Sequence, residues 1–131
     1  MQSIPSACVL DASALLAHAR RERGSERVAP YLHTANISAV NWSEFLHKLR
    51  FYGLDPGELV DEYFAAGLNT VDFRLSHAEL AAELWSEFVG LNISLADRAC
   101  MALAIDLGLP ILTADRRWTD LDLPIPVESI R

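Results

Sequence analysis

The sequence predicts an α/β domain of three layers, with a central, mainly parallel sheet flanked by helices. Three observations lead there. Short apolar runs of three to five residues alternate with helix-forming stretches along the whole chain. Two of the runs, SACVL at Ser6 to Leu10 and ILT at Ile111 to Thr113, are nearly continuously apolar, as strands buried on both faces are. Serine, glycine and proline stand where such elements should begin and end.

Each element has its own reason. Ser6 to Leu10 (SACVL) reads as a strand ending at Asp11. Ala12 to Arg23 reads as a helix with basic residues in its last turn, stopped by Gly24. A weaker helix follows over Glu26 to Leu32, then a strand at Ala35 to Ser38. Ser38 can cap the next helix, which runs to about Tyr52, and Gly53 and Asp55-Pro56-Gly57 break the chain. Glu58 to Ala66 is helical and Thr70 to Phe73 a strand. Ser76 with Glu79 three residues on has the form of a capping box, opening a helix to Gly90. Ser94 caps Leu95 to Leu107, which Gly108 ends and Pro110 seals. Ile111 to Thr113 is a strand, and Ile125 to Val127 a last edge strand, where proline is tolerated. No repeat, linker or low-complexity segment interrupts this order, so residues 1–131 are read as a single domain.

Composition narrows the class. With 51% hydrophobic and 22% charged residues, the 131-residue chain can bury a core. No apolar run approaches the ~18 residues that span a bilayer. The start, MQSIPSACVLDASALLAHARR, lacks a basic leader and is broken by Asp11, so it is not expected to be a signal peptide. Cys8 and Cys100 lie in apolar surroundings without metal-ligand spacing and read as buried thiols of a reducing cytoplasm. The formal charge of −7 is a poor field for a nucleic-acid binder. The basic residues are nonetheless clumped: Arg20, Arg21, Arg23 and Arg27; Lys48 and Arg50; Arg116 and Arg117.

Four acids are the candidates for chemistry. Ligands of open parallel sheets bind at the carboxyl ends of strands. Asp11 follows the first strand, Asp115 comes two residues after Thr113, and Asp97 and Glu44 sit in the first turns of helices. Each has an ordinary alternative. Asp11 can be an N-cap, and Asp97 a favourable charge at a helix start. Asp115 can be a turn residue, and Glu44 a helix-surface partner of Lys48. Asp97, however, shares its face with Cys100, Met101 and Ala104, and a carboxylate on an apolar stripe is costly unless paired or metal-bound. Glu44 points away from the stripe of Trp42, Phe45, Leu46, Leu49 and Tyr52, towards surface or cleft. Were the four to converge, Lys48 as the only lysine could not offset them, and an all-oxygen set favours Mg²⁺ or Mn²⁺ over zinc. Such a site suits a metal-dependent nuclease or phosphatase.

The segments "VLDASALLA", "ISAVNWSEFLHKL", "SLADRACMALAIDLGLP" and "ILTADRRW" resemble, in order and spacing, the four acidic motifs of PIN-domain ribonucleases, and most of all the VapC-type toxins of bacterial toxin–antitoxin pairs. The likeness covers nearly the whole chain, least distinctively over residues 53–92. It implies a PIN-like three-layer fold and catalytic Asp11, Glu44, Asp97 and Asp115. Asp11 and Asp97 would be the main Mg²⁺ ligands, with Asp115 close by and acting through water. Glu44 would orient the activated water or take its proton. Ser13 and Thr113 would support the acids, with Asn41 near. The implied reaction is hydrolysis of an RNA phosphodiester. The implied partners are RNA, a cognate antitoxin whose tail covers the site, and a second copy in a homodimer. Arg116, Arg117 and the Arg20–Arg27 clump become candidate contacts to RNA or antitoxin.

Rival sites fit less well. A response-regulator receiver needs an acidic pair after the first strand and a late lysine, and neither is present. A haloacid-dehalogenase-type phosphatase needs an aspartate where Ser13 stands. His18, His33, His47 and His77 lack zinc-ligand spacing and read as surface or packing residues. The remaining alternative is a PIN-like module that binds RNA or protein with little or no nuclease activity. Of the aromatic residues, Trp118 and Tyr52 could stack on bases, although core packing is the expected role of both.

Overall fold

A computed structural model describes residues 6–131, so the first five residues of the amino-terminal stretch read above lie outside the described residues. Five strands, β1 (Cys8–Leu10), β2 (Ala35–Ser38), β3 (Asn69–Val71), β4 (Ile111–Thr113) and β5 (Val127–Ser129), form one sheet in the order β3-β2-β1-β4-β5. Every pairing is parallel, with Val9 opposite Asn36 on one side and Ile111 on the other. Among the described residues six α-helices cover it: α1 (Ala12–Ala19), α2 (Ser25–Val28), α3 (Ala39–Phe51), α4 (Pro56–Ala66), α5 (Leu75–Glu87) and α6 (Leu95–Leu107).

Strand periodicity divides the core into two layers. Successive side chains of a strand point to opposite faces. Cys8 and Leu10 of β1, with Ala35, Ile37 and Leu112, therefore pack against Leu15 of α1, Phe45 and Leu49 of α3 and Tyr63 of α4. Val9 and Ile111 face the other way, onto Leu84 of α5, Cys100, Met101, Leu103 and Ala104 of α6, and Trp118. All three residues of β1 and of β4 are buried, which explains their unbroken apolar character. No helix of the described residues is long and apolar enough to cross a membrane.

The sheet also fixes where a ligand can sit. From β1 the chain moves to β2 on one side, and it returns later to place β4 on the other. The carboxyl ends of β1 and β4 thus flank the point where the strand order reverses, where a crevice opens in parallel sheets.

Several boundaries differ from the sequence reading. Helix α1 ends at Ala19 rather than Arg23, because Arg21 adopts φ +53 and Gly24 φ +97. A side chain at Gly24 would run into the Ile130 carbonyl, so the close approach of the carboxyl-terminal segment requires glycine there. The expected helix over Glu26 to Leu32 is the short α2 followed by a 3-10 turn over Ala29–Thr34, where Pro30 has no N–H to donate. Helix α4 begins two residues earlier than read, with Asp55 capping the Gly57 N–H at 3.0 Å. Strand β3 starts one residue earlier than expected and stops at Val71. Helix α5 is not opened by Ser76 and Glu79. Arg74 is its N-cap residue, and its N–H donates to Nδ1 of buried His77 at 3.2 Å, while Nε2 of His77 meets Asp106 at 3.0 Å. Strand β5 lies two residues beyond the predicted edge strand, since Pro126 supplies only its carbonyl, to the Ile111 N–H. Helix α6 and strands β2 and β4 fall where the sequence puts them.

Candidate active site

Asp11 is the innermost acid. It is 5% exposed, and its carboxylate caps α1 by accepting the Ala14 N–H at 2.9 Å. Capping and site-building are therefore combined in one residue. The Ser13 hydroxyl stands 2.7 and 2.9 Å from the two Asp11 oxygens, and the Thr113 hydroxyl donates to Oδ2 at 2.6 Å. Each hydroxyl is itself oriented by the backbone leaving β4. Ser13 Oγ accepts the Ala114 N–H at 2.9 Å, and Thr113 Oγ1 accepts the Asp115 N–H at 3.0 Å. With their lone pairs so engaged, both hydroxyls direct protons to Asp11. The exit of β1 is thereby tied to the exit of β4.

These donors favour the ionised form, yet burial outweighs them and lifts the Asp11 carboxyl to about 6, with Asp97 adding repulsion. Glu44, half-buried on α3, is also raised, first by burial and then by the charge of Asp97. Asp97 sits at the third position of α6 in a true capping box. The Asp97 N–H donates to Ser94 Oγ at 3.1 Å and the Ser94 N–H to Asp97 Oδ2 at 3.0 Å. Its face of the helix is otherwise apolar, as read, with Cys100, Met101 and Ala104 fully buried below it.

Asp115 behaves differently. It opens a 3-10 turn (Arg116–Asp120) that the sequence reading had only as a turn. Arg117 grips it, Nη2 to Oδ2 at 2.7 Å and Nε to Oδ1 at 3.1 Å, and this holds its carboxyl below the usual range. Asn41 is buried, and its amide donates to the Ala96 carbonyl at 2.9 Å, joining α3 to the first turn of α6.

All four predicted acids line one cleft of about 240 Å³, together with Ala12, Ser13, Leu16, Lys48, Tyr52 and Trp118. Two of these correct or refine the sequence reading. Tyr52 is not a core residue: it is 43% exposed on the cleft wall. Trp118 is core, at 1% exposed, and forms part of the cleft floor. Lys48 and Tyr52 were missed as cleft residues, although they follow Glu44 at intervals of four, the spacing that shares a helix face. Cys8 and Cys100 are free and buried. Burial pushes the Cys8 thiol to about 12, and burial with the surrounding acids raises Cys100 well above its ordinary value. His18 is half-buried against the Tyr63 hydroxyl at 2.7 Å, and His33 and His47 are exposed.

An all-oxygen set of this kind would suit a hard divalent cation rather than zinc. Among the described residues no three acids, histidines or cysteines stand close enough to form a ready-made cage. Mg²⁺ does not require one, being held by one or two carboxylates while keeping several waters. Asp11 and Asp97 repel each other across the cleft, and this repulsion is what a cation would relieve.

The comparisons agree with this architecture. The family model described as "PIN domain" matches residues 8–123. No curated protein matches the chain. Among solved structures, a toxin–antitoxin complex from Klebsiella pneumoniae is similar at TM-score 0.75 and 17% identity, covering 95% of this chain and 98% of that one. DNA-bound VapBC from Salmonella typhimurium gives TM-score 0.75 and 17% identity, over 97% and 100% of the two chains. VapBC-5 from Mycobacterium tuberculosis gives TM-score 0.59 and 22% identity, over 97% and 99%. On a parallel sheet that gathers Asp11, Glu44, Asp97 and Asp115 into one cleft, and with the family match spanning nearly the whole chain, this protein belongs to the PIN-domain family.

Proposed function

We propose that the protein is the toxin of a toxin–antitoxin pair, acting as a Mg²⁺-dependent endoribonuclease. The observation that carries the reading is the buried Asp11, held by Ser13 and Thr113 in a cleft it shares with Asp97, Glu44 and Asp115. Burial and the charge of Asp97 both disfavour the ionised forms of Asp11 and Glu44, a cost that a bound cation would offset. When bound, Mg²⁺ or Mn²⁺ would neutralise substrate phosphate and acidify a water for hydrolysis. Asp11 and Asp97 would hold the ion, and Asp115 would assist through water once released from Arg117.

Glu44 would take a proton from the attacking water. Its raised carboxyl makes it a better base at neutral pH than an ordinary glutamate. The water oxygen joins phosphorus, the phosphorus–oxygen bond to the departing ribose breaks, and the proton needed by that oxygen comes from solvent. Lys48 supplies positive charge on the wall beside the acids.

The toxin assignment draws support from the three neighbours above, which are described as toxin–antitoxin or VapBC complexes. We accordingly propose a cognate antitoxin and a homodimer as partners, in the cytoplasm, where two unpaired buried thiols are stable.

The test is cleavage of total RNA by purified, antitoxin-free protein with Mg²⁺ or Mn²⁺ against EDTA, beside Asp97→Asn. Metal-dependent cleavage lost in the variant is expected. A folded, metal-binding protein that cleaves nothing would instead favour a binding module. In cells, expression alone should arrest growth, and Asp11→Asn or Asp97→Asn should relieve the arrest.

A further inference from the structure

The cleft does not end at the acids. Glu44 and Lys48 of α3 and Tyr52, which caps its carboxyl end, succeed one another along one face, so the cleft wall extends about 12 Å from the acid at 1.5 Å per residue. Leu16 of α1 lines the cleft too, and Arg20, one turn on, closes over the far end, its guanidinium 3.6 Å from the centre of the Tyr52 ring. Phe51 is 74% exposed and meets Tyr52 edge-on, ring centres 5.2 Å apart. Within the same helix Phe45 and Leu49 are fully buried. Tyr52 and Phe51 are thus large aromatic residues left in water at the mouth of the cleft.

Charge changes along this wall. The acids lie at one end, the chain's only lysine in the middle, and an arginine-backed tyrosine at the other. A ligand that is anionic at regular intervals and carries flat rings matches that sequence of features. An unpaired RNA strand is such a ligand, since phosphates take the cations and bases stack on aromatic faces. A guanidinium against the ring fixes its orientation and makes the platform more rigid. The cleft of about 240 Å³ is lined from α1, α3 and α6, with Tyr52 at the end of the α3 wall.

We propose that Tyr52, braced by Arg20 and flanked by Phe51 and Lys48, forms a subsite that stacks the base of an unpaired nucleotide next to the scissile phosphate. The subsite rests on reading the acidic cleft as an RNA-cleaving centre, and it would favour unpaired over duplex RNA. Lys48 contacts the phosphate between the stacked base and the acids.

The test separates binding from cleavage. A fluorescein-labelled, unstructured 12-nucleotide RNA of mixed sequence is titrated by anisotropy into Asp97→Asn protein, which holds it uncut. Adding Tyr52→Ala should weaken binding by about 5- to 100-fold, the range of one lost base–aromatic stack, and Tyr52→Phe by less than about 2-fold. One abasic position in the RNA should cost the parent protein the same factor and cost the Tyr52→Ala protein nothing further. Lys48→Met should reduce the slope of log affinity against log salt by about 0.7, one phosphate contact to a single strand. An unchanged melting temperature in Tyr52→Ala excludes a folding effect.

Equal binding by parent and Tyr52→Ala protein, or losses that simply add, overturns the subsite. If Tyr52→Ala weakens only the antitoxin while RNA binding stands, the wall is a protein contact and the proposal fails. Base-dependent binding at Tyr52 without any metal-dependent cleavage by the unmutated protein would overturn the nuclease and leave the subsite. Absence of RNA binding overturns both.

Discussion

Arg117 holds Asp115 with its guanidinium, Nη2 to Oδ2 at 2.7 Å and Nε to Oδ1 at 3.1 Å, and so occupies both oxygens of an acid that lines the cleft. The arginine is a built-in competitor for any cation that Asp115 would help to bind. Because Arg117 is largely exposed, the grip is worth little by itself. Arg117→Gln should therefore raise the affinity for Mn²⁺ about 2- to 5-fold, measured by calorimetric titration of the RNA-free protein. Weaker binding would show instead that Arg117 positions Asp115 for the metal.

Asp11 makes the stability of the metal-free protein depend on pH. Its carboxyl is raised from 3.8 to about 6, so the folded state holds that proton more tightly than the unfolded state. The associated stability is complete below about pH 4 and is lost as pH rises through 6. Asp11→Asn retains a capping side chain and does not titrate. In EDTA it should be more stable than the parent at pH 7.5, by up to about 3 kcal/mol, with the gap closing towards pH 4. Urea melts at the two values would show this, and added Mg²⁺ should restore stability to the parent alone.

Thr113 is the strongest donor to that carboxylate, at 2.6 Å. Thr113→Val keeps the shape and removes the hydrogen bond. The loss should be about 1.5–3 kcal/mol at pH 7.5, as for a hydrogen bond to a charged group, and should shrink below pH 6 as Asp11 takes up its proton. Denaturant midpoints across that range provide the check. A loss independent of pH would place the damage in packing rather than at Asp11.

Glu44 lies on the cleft wall rather than in its innermost layer, and its carboxyl is raised by burial and by Asp97. Glu44→Gln should lower kcat about 100- to 10,000-fold, the scale of a lost general base, with little change in KM. The acidic limb of the pH–rate profile should flatten in the variant. A change confined to KM would reassign Glu44 to binding.

Gly24 has a structural role remote from the acids. At φ +97 it brings the basic turn after α1 against the Ile130 carbonyl. Gly24→Ala adds left-handed strain of about 1–2 kcal/mol and a steric clash to it. Thermal melting should fall by several degrees, while Mn²⁺ affinity per folded molecule should stay within about 2-fold.

The acids were legible because their chain positions follow from local rules. Asp11 comes directly after an apolar run, and Asp97 three residues after a capping serine. A strand end and a helix start are both local events, set by side chains a few residues apart. Helix α6 was readable for the same reason, with Ser94 at its start and Gly108 at its end. The capping of α5 was not, because Ser76 and Glu79 mimic a box while a buried histidine, paired to Asp106 on another helix, supplies the bond. Tyr52 was misplaced by periodicity alone. It continues the apolar stripe of α3, yet at the helix end the stripe has run past the core and meets Phe51 and the guanidinium of Arg20, just past α1.

The order of strands and helices, the apolar faces and the four acids were thus determined by residue type and spacing, which act over a turn or a strand length. The pairing order of the sheet, the tie from Thr113 to Asp11, the grip of Arg117 on Asp115 and the aromatic end of the cleft were decided only by tertiary structure. The Thr113–Asp11 contact spans 102 residues, and nothing within either segment specifies its partner. Such a contact forms because two strands become neighbours in a parallel sheet, and that adjacency is set by how the whole apolar core closes.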